Sequence, residues 1–409
     1  RLLKAKEINY YFFSVGLGNI GISNFGKISK EQLLILKRFR NVFNLAYQRY
    51  TDISLAEAQA REAQVEASLE RVRAQAMAMH QQEDLLNICE TFYQEFSVLE
   101  FDGLRNAMIN IYNDEQKTFV NYDYSDVIGK SINHLTYNIH PEIEKQIKQV
   151  RKANDAFSET VFKGKGLESM KKFRKKIGEK DDPRIKNCKA LYYYFYSIGT
   201  GAIGISTFNP VTKEKLELLK RFRNVFALSY QRYTDIALAE AQAREAEIEL
   251  ALERVRARTM AMQKSEEISE TTHLLFEQLK NLGQTAAQLS IGIIKEEKGV
   301  FELSATVHGT SLLQTYNVPL DEPFVIKKAV KAWKQKKKTF TIELRGKELK
   351  AYNKWRNSVL KKKIVFPEKQ WIINIIFFSK GMLSFSSDKE ISKEAFQLLE
   401  RFAAVFDGT

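Results

Sequence analysis

An internal repeat constrains the fold of this chain more than any other feature of its sequence. The 43 residues from Lys37 to Met79 return at Lys220 to Met262, an offset of 183 residues, with 34 positions identical. Upstream, YYFFSVGLGNIGISNF at Tyr10 matches YYFYSIGTGAIGISTF at Tyr193 with the same offset. A weaker copy of this ending, IIFFSKGMLSFSS followed by RFAAVF, occurs near the C-terminus. Since the offset of 183 residues is the size of one domain, the sequence predicts similar domains in tandem.

Each copy has the pattern of an α+β domain. Two strands joined by a polar turn are followed by a basic, helix-rich stretch, a second pair of strands and a closing helix behind a hydroxyl cap. We expect the C-terminal remnant of a domain at 1–50, a helix at 51–82, a domain at 83–235, a helix at 236–265 and a domain at 266–409. Because the chain starts with Arg1 inside one copy, we expect it to be a piece of a longer protein.

The composition is that of a soluble, folded protein. The 409 residues are 44% hydrophobic and 28% charged, which excludes wholesale disorder. No stretch approaches the roughly 18 consecutive apolar residues that a membrane-spanning helix needs. The two cysteines, Cys89 and Cys188, form neither a disulfide framework nor a metal knuckle, which favours a cytoplasmic location.

The helices that connect the domains carry a heptad pattern. Its seam consists of Leu55, Val65, Leu69, Val72 and Met79 in the first helix and of Leu238, Ile248, Leu252, Val255 and Met262 in the second. A similar pattern that ends at Ile53 is out of phase with Leu55, which gives the first helix two neighbouring packings. The pattern predicts a parallel homodimer held by a coiled coil. The alternative is a single helix that packs on its own domain.

Nothing in the sequence amounts to a catalytic or metal site. Two GxGxxG strings begin at Gly16 and Gly199, but a strand follows each of them, whereas a dinucleotide loop must open a helix. We therefore interpret both strings as hairpin turns. The five histidines lack metal-ligand spacing, and no serine or cysteine has the setting of an activated nucleophile. We predict neither an enzyme nor a bound cofactor.

Aromatic residues near the second GxGxxG string are the candidate ligand contacts. Strand alternation places Tyr192, Tyr194 and Tyr196 on one face and the residues between them on the other. One face should meet the long helices, and tyrosine hydroxyls on the other can line a small-molecule cavity. The predicted ligand-binding residues are these three tyrosines, Asn374 at the matching place in the last copy, and His140 at a helix start. Core packing is the alternative for the tyrosines.

The final hairpin, the closing helix KEKLELLKRFRNVFALSYQRY and the linker AEAQAREAEIELALERVRARTMAMQKSEE resemble those of tandem GAF-like sensory domains joined by signalling helices. Such arrays belong to multidomain bacterial signalling proteins, often sensor histidine kinases, and lie ahead of an output domain. The resemblance implies a six-stranded antiparallel sheet with flanking helices in each domain and a pocket on the side away from the terminal helices. It names no ligand, since neither the cyclic-nucleotide signature of the family nor a bilin-attachment cysteine is evident.

The resulting hypothesis is a non-catalytic sensory and signal-transmission module of a larger signalling protein. It binds a small ligand or a partner and relays this event through dimeric helices to an output domain, such as a kinase, outside this chain. The net charge of +14, concentrated in basic runs such as Lys171 to Lys176 and Lys334 to Lys338, leaves a nucleic-acid-binding protein as the alternative. That alternative is the weaker one, because aromatics at helical spacing in these runs should pack inward while the lysines stay solvated.

Overall fold

A computed structural model describes residues 7–180, 182–262, 267–284, 287–306, 313–360 and 369–408. The chain divides into two compact units, Arg1–Ile236 and Ala237–Thr409. Each unit holds a six-stranded antiparallel sheet with flanking helices, so the predicted α+β class with two such sheets is confirmed. The finer domain boundaries expected from the sequence stay a prediction.

The first unit opens with a hairpin and a helix of 48 residues. Strands β1 (Asn9–Ser14) and β2 (Asn19–Asn24) pair in antiparallel fashion, and α1 spans Lys30–Met77. A capping box starts α1, in which the Ser29 hydroxyl accepts from the Gln32 amide and the Gln32 side chain accepts from the Ser29 amide. The start of this helix is therefore set by local sequence.

The rest of the first unit forms a sheet and its flanking helices. In chain order these elements are α2 (Leu85–Val98), β3 (Leu104–Asn113), β4 (Thr118–Ser125), β5 (Gly129–Thr136), α3 (Pro141–Val150), β6 (Phe157–Lys163), α4 (Gly164–Lys176), α5 (Pro183–Lys186), β7 (Ala190–Ser197), β8 (Gly201–Thr207) and α6 (Lys213–Met260), the last of which runs on into the second unit. The strand order is β5-β4-β3-β8-β7-β6. The hairpins β3–β4 and β7–β8 lie side by side, because β3 pairs with β8.

The second unit repeats this topology. Its further elements are α7 (Ile268–Asn281), β9 (Gln288–Lys295), β10 (Val300–Thr306), β11 (Leu313–Pro319), α8 (Ile326–Lys334), β12 (Thr339–Arg345), α9 (Gly346–Leu360), β13 (Gln370–Phe378), β14 (Gly381–Ser387) and α10 (Lys393–Val405). The strand order β11-β10-β9-β14-β13-β12 corresponds strand by strand to that of the first sheet. The sequence repeat is thus also a repeat of topology.

Each sheet has a hydrophobic core on both of its faces. On one face of the first sheet, the end of α1, all of α2 and the start of α6 form a core around Phe92, Phe96, Phe222 and Phe226. On the other face, α3 and α4 cover a separate core that includes Met108. The second unit has the same two cores. In each unit the long and the short helices therefore lie on opposite faces of the sheet.

Two strands of each sheet lie where the sequence indicated a helix-rich stretch. β5 and β6 in the first sheet, and β11 and β12 in the second, fall between the two predicted pairs. All four occupy sheet edges. In β5 the residues alternate between partly buried and exposed, so this strand has no run of apolar residues. An edge strand with this pattern gives a weaker apolar signal than the central strands do.

Both GxGxxG strings form the hairpin turns that the sequence predicted. Gly16 and Gly199 have φ of +81° and +85° between the paired strands, a conformation that favours glycine. Gly204, the last glycine of the second string, lies within β8. A Cβ atom there would lie 2.4 Å from Phe195 Cδ1 and 2.5 Å from the Tyr194 carbonyl oxygen. These glycines therefore serve a turn and close strand packing.

Most residues of the predicted seam pack within the chain. The residues that lie in or against the helix-side cores of the two units are Val65, Leu69, Val72, Met79, Ile248, Leu252, Val255 and Met262. Leu55 and Leu238 are exposed. A side chain buried against its own domain offers no surface to a second helix. The buried part of the seam therefore packs on its own domain. The expected dimer contact is limited to the exposed part.

Ion pairs connect each long helix to the closing helix of its domain. In the first unit, Arg221 Nη2 of α6 lies 2.7 Å from Glu62 Oε1 and 2.6 Å from Glu66 Oε1, both on α1. In the second unit, Arg401 of α10 makes the same two contacts with the glutamates at the matching positions of α6, Glu245 and Glu249, at 2.6 and 2.7 Å. The glutamates therefore tie the entering helix of each domain to its closing helix.

Candidate functional site

Each unit has a cavity on the sheet face opposite the long helices. The cavity of the first unit, the first cavity, has a volume of about 80 Å³ and lies between strands β3, β4, β5 and β7 and helices α3 and α4. This is room for about five to eight water molecules at 10 to 15 Å³ of accessible volume each. The location agrees with the pocket that the family resemblance implied.

Three asparagines from neighbouring strands form a ladder across the floor of the first cavity. Asn110, Asn121 and Asn133 stand directly opposite one another in the registers of β3, β4 and β5. Asn121 Nδ2 donates to Asn110 Oδ1 at 2.8 Å, and Asn133 Nδ2 donates to Asn121 Oδ1 at 3.5 Å. An amide has two N–H donors and an oxygen with two lone pairs, so the ladder uses only part of the hydrogen-bonding capacity of these side chains.

A buried ionic cluster closes one end of the first cavity. Arg105, with 1% of its surface exposed, donates to the Ser206 hydroxyl at 3.1 Å. Its Nη2 lies 3.3 Å from Glu179 Oε1, which also lies 2.7 Å from Arg174 Nη2, and its Nε lies 3.6 Å from Asp182 Oδ2. Each guanidinium near the cavity thus faces a carboxylate, as buried charges require.

The carboxyl group of Asp123 lies in the same wall. Burial raises its pKa to about 6, although the nearby Arg105 guanidinium acts in the opposite direction. Asn106 Nδ2 donates to Asp123 Oδ1 at 2.8 Å, and the Ser206 hydroxyl donates to Asn106 Oδ1. The wall of the first cavity is therefore a continuous hydrogen-bonded network that contains one carboxyl group able to change its protonation near neutral pH.

The cavity of the second unit, the second cavity, has the same volume of about 80 Å³ and a less polar lining. Its aromatic residues are Phe301, Tyr316, Tyr352, Trp355 and Trp371. The Glu322 carboxylate accepts from the backbone N–H groups of Val325 and Ile326 at 2.8 and 2.6 Å, at the start of α8. Arg356 Nη2 donates to Gln288 Oε1 at 2.6 Å. The central strands β9 and β14 add three serines, Ser290, Ser384 and Ser386, to this lining. The polar residues of the second cavity are therefore fewer than those of the first.

Strand register matches the two cavities position by position. Ser206 of β8 pairs with Asn106 and Tyr193, just as Ser386 of β14 pairs with Gln288 and Ile373. On this alignment Asn110, Asn121, Asp123 and Asn133 correspond to Gly292, Leu303, Ala305 and Tyr316. At these four positions the first cavity therefore has three amides and a carboxyl group, and the second cavity has neither.

The three predicted tyrosines lie on the other face of the sheet. Tyr194 and Tyr196 are buried in the core beneath the long helices, and Tyr192 packs against it. The Tyr194 hydroxyl accepts from the Val211 N–H at 3.0 Å. The residues between them, Tyr193 and Phe195, line the first cavity instead. Alternation correctly grouped the residues, but it cannot tell which group faces which layer, and the choice of the three tyrosines as cavity residues is therefore corrected.

Asn374 and His140 also lie outside the cavities. Asn374 corresponds to Tyr194 in strand register and accepts from the Thr341 hydroxyl at 3.2 Å on the long-helix face. The His140 ring caps α3, where its Nδ1 accepts from the Glu142 N–H at 3.2 Å, and burial lowers its pKa. It packs on Phe162 and Phe173, which line the first cavity. The structure does not bring the predicted ligand residues together.

The asparagine ladder was not predicted from the sequence, although the strand pattern contains a signal for it. Asn106 and Asn110 interrupt the central strand LRNAMINIYN at positions that share one face. Polar side chains on a central, otherwise apolar strand are unusual unless they line a cavity or bond to one another. Asn133 could not have been added in this way, because its strand was not predicted.

The basic runs keep their lysines solvated. In α4, Phe173 is buried while Lys172 and Lys175 are exposed. In the other run, Lys334 is exposed and pairs with Glu296 at 2.7 Å. Tyr352, which follows this run in α9, is buried. The inward packing of these two aromatic rings agrees with the prediction and leaves neither of them on the surface to stack on a nucleotide base.

The described part of the chain has neither a candidate membrane-spanning helix nor a candidate metal cluster. Among these residues, no helix is long and apolar enough to cross a membrane. Within the same residues, no group of three or more His, Cys, Asp or Glu side chains is arranged to hold a metal ion.

Comparison with known proteins gives likenesses of structure but none of sequence family. No family model and no curated protein match the sequence. A solved structure described as "Crystal structure of bacteriophytochrome RpBphP3 from photosynthetic bacterium R. palustris" matches with a TM-score of 0.31 and 10% sequence identity, over 79% of this chain. The chain spans 61% of the length of that structure. A TM-score this low does not support an argument about function.

Proposed function

We propose that this chain is a non-catalytic sensory and signal-transmission module built from GAF-like domains. A small ligand binds in the cavity of a domain, and the long helices relay its binding to an output domain such as a kinase. The observation that carries the proposal is the pair of matched cavities. They lie at the same place in two domains of the same topology, but the residues that line them differ. This is what we expect of related sensors with different ligands.

One strand offers a physical route from cavity to helix. Along β7, Tyr193 and Phe195 line the first cavity, while Tyr194 and Tyr196 pack in the core with α6. Arg223 of α6 also donates to the Ser197 carbonyl oxygen, at the end of β7, at 2.6 Å. A ligand that displaces β7 would therefore act directly on the packing of α6, and a two-state helix packing would convert this into a signal.

The middle parts of the long helices supply the transmission surface in this proposal. Every residue of 51–64 in α1 and of 235–247 in α6 is exposed, with Leu55 and Leu238 at 60% and 58% exposure. The ion pairs of Glu62 and Glu245 with the closing helices lie near the domain end of each segment. A helix exposed all round needs either a partner or many ion pairs. We propose that the partner is the same segment of a second copy, in a parallel homodimer.

A deletion in the exposed part of α6 tests the relay. We expect that removal of Ile236 and Ala237 from the chain fused to a histidine-kinase core abolishes ligand control of autophosphorylation, because the deletion rotates the two ends of the helix relative to each other by about 200°. Removal of a whole heptad, residues 236–242, is the matched control, since it nearly preserves the facing side. Equal regulation in both deletion variants would contradict a relay through helix phase.

A further inference from the structure

The chemistry of the first cavity narrows the ligand class, and this step rests on the proposed function. The asparagine ladder is not needed for the fold, because the second unit builds the same sheet with Gly292, Leu303 and Tyr316 at the matching positions. Polar groups that line a cavity must be hydrogen-bonded to water or to a ligand. The ladder therefore belongs to the chemistry of this cavity and is not required by the fold of the domain.

The ionic cluster indicates that the ligand carries no charge. Glu179 lies between the guanidinium groups of Arg105 and Arg174, at 3.3 and 2.7 Å, and Asp182 lies 3.6 Å from Arg105 Nε. An anionic ligand would have to displace a carboxylate from these cations. A cationic ligand would have to compete with the guanidinium groups for Glu179 and Asp182, and with the Asn106 amide for the Asp123 carboxyl group. The amides of the floor are neutral and impose no such cost.

The floor presents donors and acceptors side by side, and the walls are aromatic. Amide groups pair edge to edge with a group that offers an N–H next to a C=O, as asparagine does with the edge of a heterocyclic base. Phe119, Phe162 and Phe195 line the same cavity and offer surfaces for a flat ring. The volume of about 80 Å³ leaves room for no more than a single small ring.

We propose that the first cavity binds an uncharged, single-ring cyclic amide, and that Asn110, Asn121 and Asn133 recognise its adjacent N–H and C=O groups. The second cavity lacks this ladder and should not bind such a ring. The difference between the two units is therefore one of ligand class within a common frame.

Uracil is the probe for this proposal, titrated into the full chain with detection by ligand-observed NMR. We expect saturable binding, at least about tenfold weaker binding of a dimethylated uracil that lacks both N–H donors, and no competition from benzoate. Asn121→Leu, which installs the residue of the second cavity, should weaken uracil binding at least about tenfold. Leucine is tolerated at this place in the same fold, so this variant should keep its thermal unfolding midpoint.

The control is Asn87→Leu, the same substitution at an exposed position of α2 outside the cavity. It should leave uracil binding unchanged. Absence of uracil binding, equal binding of the dimethylated compound, or unchanged binding by Asn121→Leu would each overturn the proposal. None of these results would remove the sensory function, which fails only if neither domain binds any small molecule from a broad metabolite panel.

Discussion

At the scale of single residues, Asp123 links the first cavity to the stability of its domain. Its pKa is 3.8 in an ordinary setting and is raised to about 6 in the fold by burial. The unfolded chain therefore releases this proton at a lower pH than the folded chain. The raised pKa therefore lowers the free energy of unfolding as the pH rises from about 4 to about 6. Above that range the loss of stability reaches its full value of about 3 kcal/mol.

The variant Asp123→Asn removes this penalty and keeps an acceptor for Asn106. We expect the variant to gain stability relative to the wild type at about pH 7 and to gain little or nothing at about pH 4. Urea unfolding of both proteins at the two pH values measures the difference. Asp102→Asn, at an exposed position before β3, should change the free energy of unfolding little at either pH. An equal gain at both pH values would contradict the assigned pKa.

The repeat provides a matched pair of phenylalanines. Phe222 is fully buried against Phe92 and Phe96, whereas its counterpart Phe39 in the first copy is 66% exposed. We expect Phe222→Ala to lower the free energy of unfolding by about 3 to 5 kcal/mol and Phe39→Ala to change it by less than about 0.5 kcal/mol. Denaturant titration followed by circular dichroism separates the two. Similar costs would show that the environments of the two copies are alike.

These residues also show which features of the fold could be predicted from the sequence. The repeat shows that Phe39 and Phe222 occupy matching positions. The difference in their burial depends on which elements cover each helix, and this cannot be predicted from the sequence. In the same way, strand alternation grouped Tyr192 with Tyr194 but could not assign their face. Burial against Phe222 and Phe226 of α6 decides that assignment.

At the scale of elements, the glycines of the hairpins are the clearest case of a motif with a structural role. Gly204 leaves no space for a Cβ atom between Phe195 and the Tyr194 carbonyl group. We expect Gly204→Ala to destabilise the first unit by about 1 to 3 kcal/mol, because the strands must separate to admit the methyl group.

Gly166→Ala is the control for this substitution, since a Cβ atom at Gly166 in α4 would meet nothing within 4 Å. It should be neutral or stabilising by up to about 1 kcal/mol. Thermal unfolding of the two variants distinguishes them. If Gly204→Ala were as stable as Gly166→Ala, the close strand packing would be incorrect.

The heptad pattern shows where local periodicity becomes ambiguous. An apolar stripe predicts that a helix packs on something, but it does not say whether the surface belongs to its own domain or to a second copy. In α1 the stripe at Val65, Leu69 and Val72 packs on its own domain. Only the upstream, exposed part of the helix can pack against a second copy. The proposal of a dimer depends on this part.

At the scale of the whole molecule, the repeat made the fold class predictable. Two copies of a hairpin and a closing helix were visible in the sequence, and both sheets have the expected six antiparallel strands. The ligand chemistry was not predictable, because each cavity gathers residues from four or more elements, including edge strands with weak patterns. Strand register alone reveals that an asparagine ladder in one unit corresponds to Gly292, Leu303 and Tyr316 in the other.

A native mass spectrum of the purified chain tests the central claim most directly, since it reports subunit number and bound small molecules together. The account predicts a dimer that retains a small molecule or takes one up from a metabolite panel. A chain that stays monomeric at micromolar concentration and takes up no small molecule would contradict both the relay through paired helices and the sensory role of the cavities.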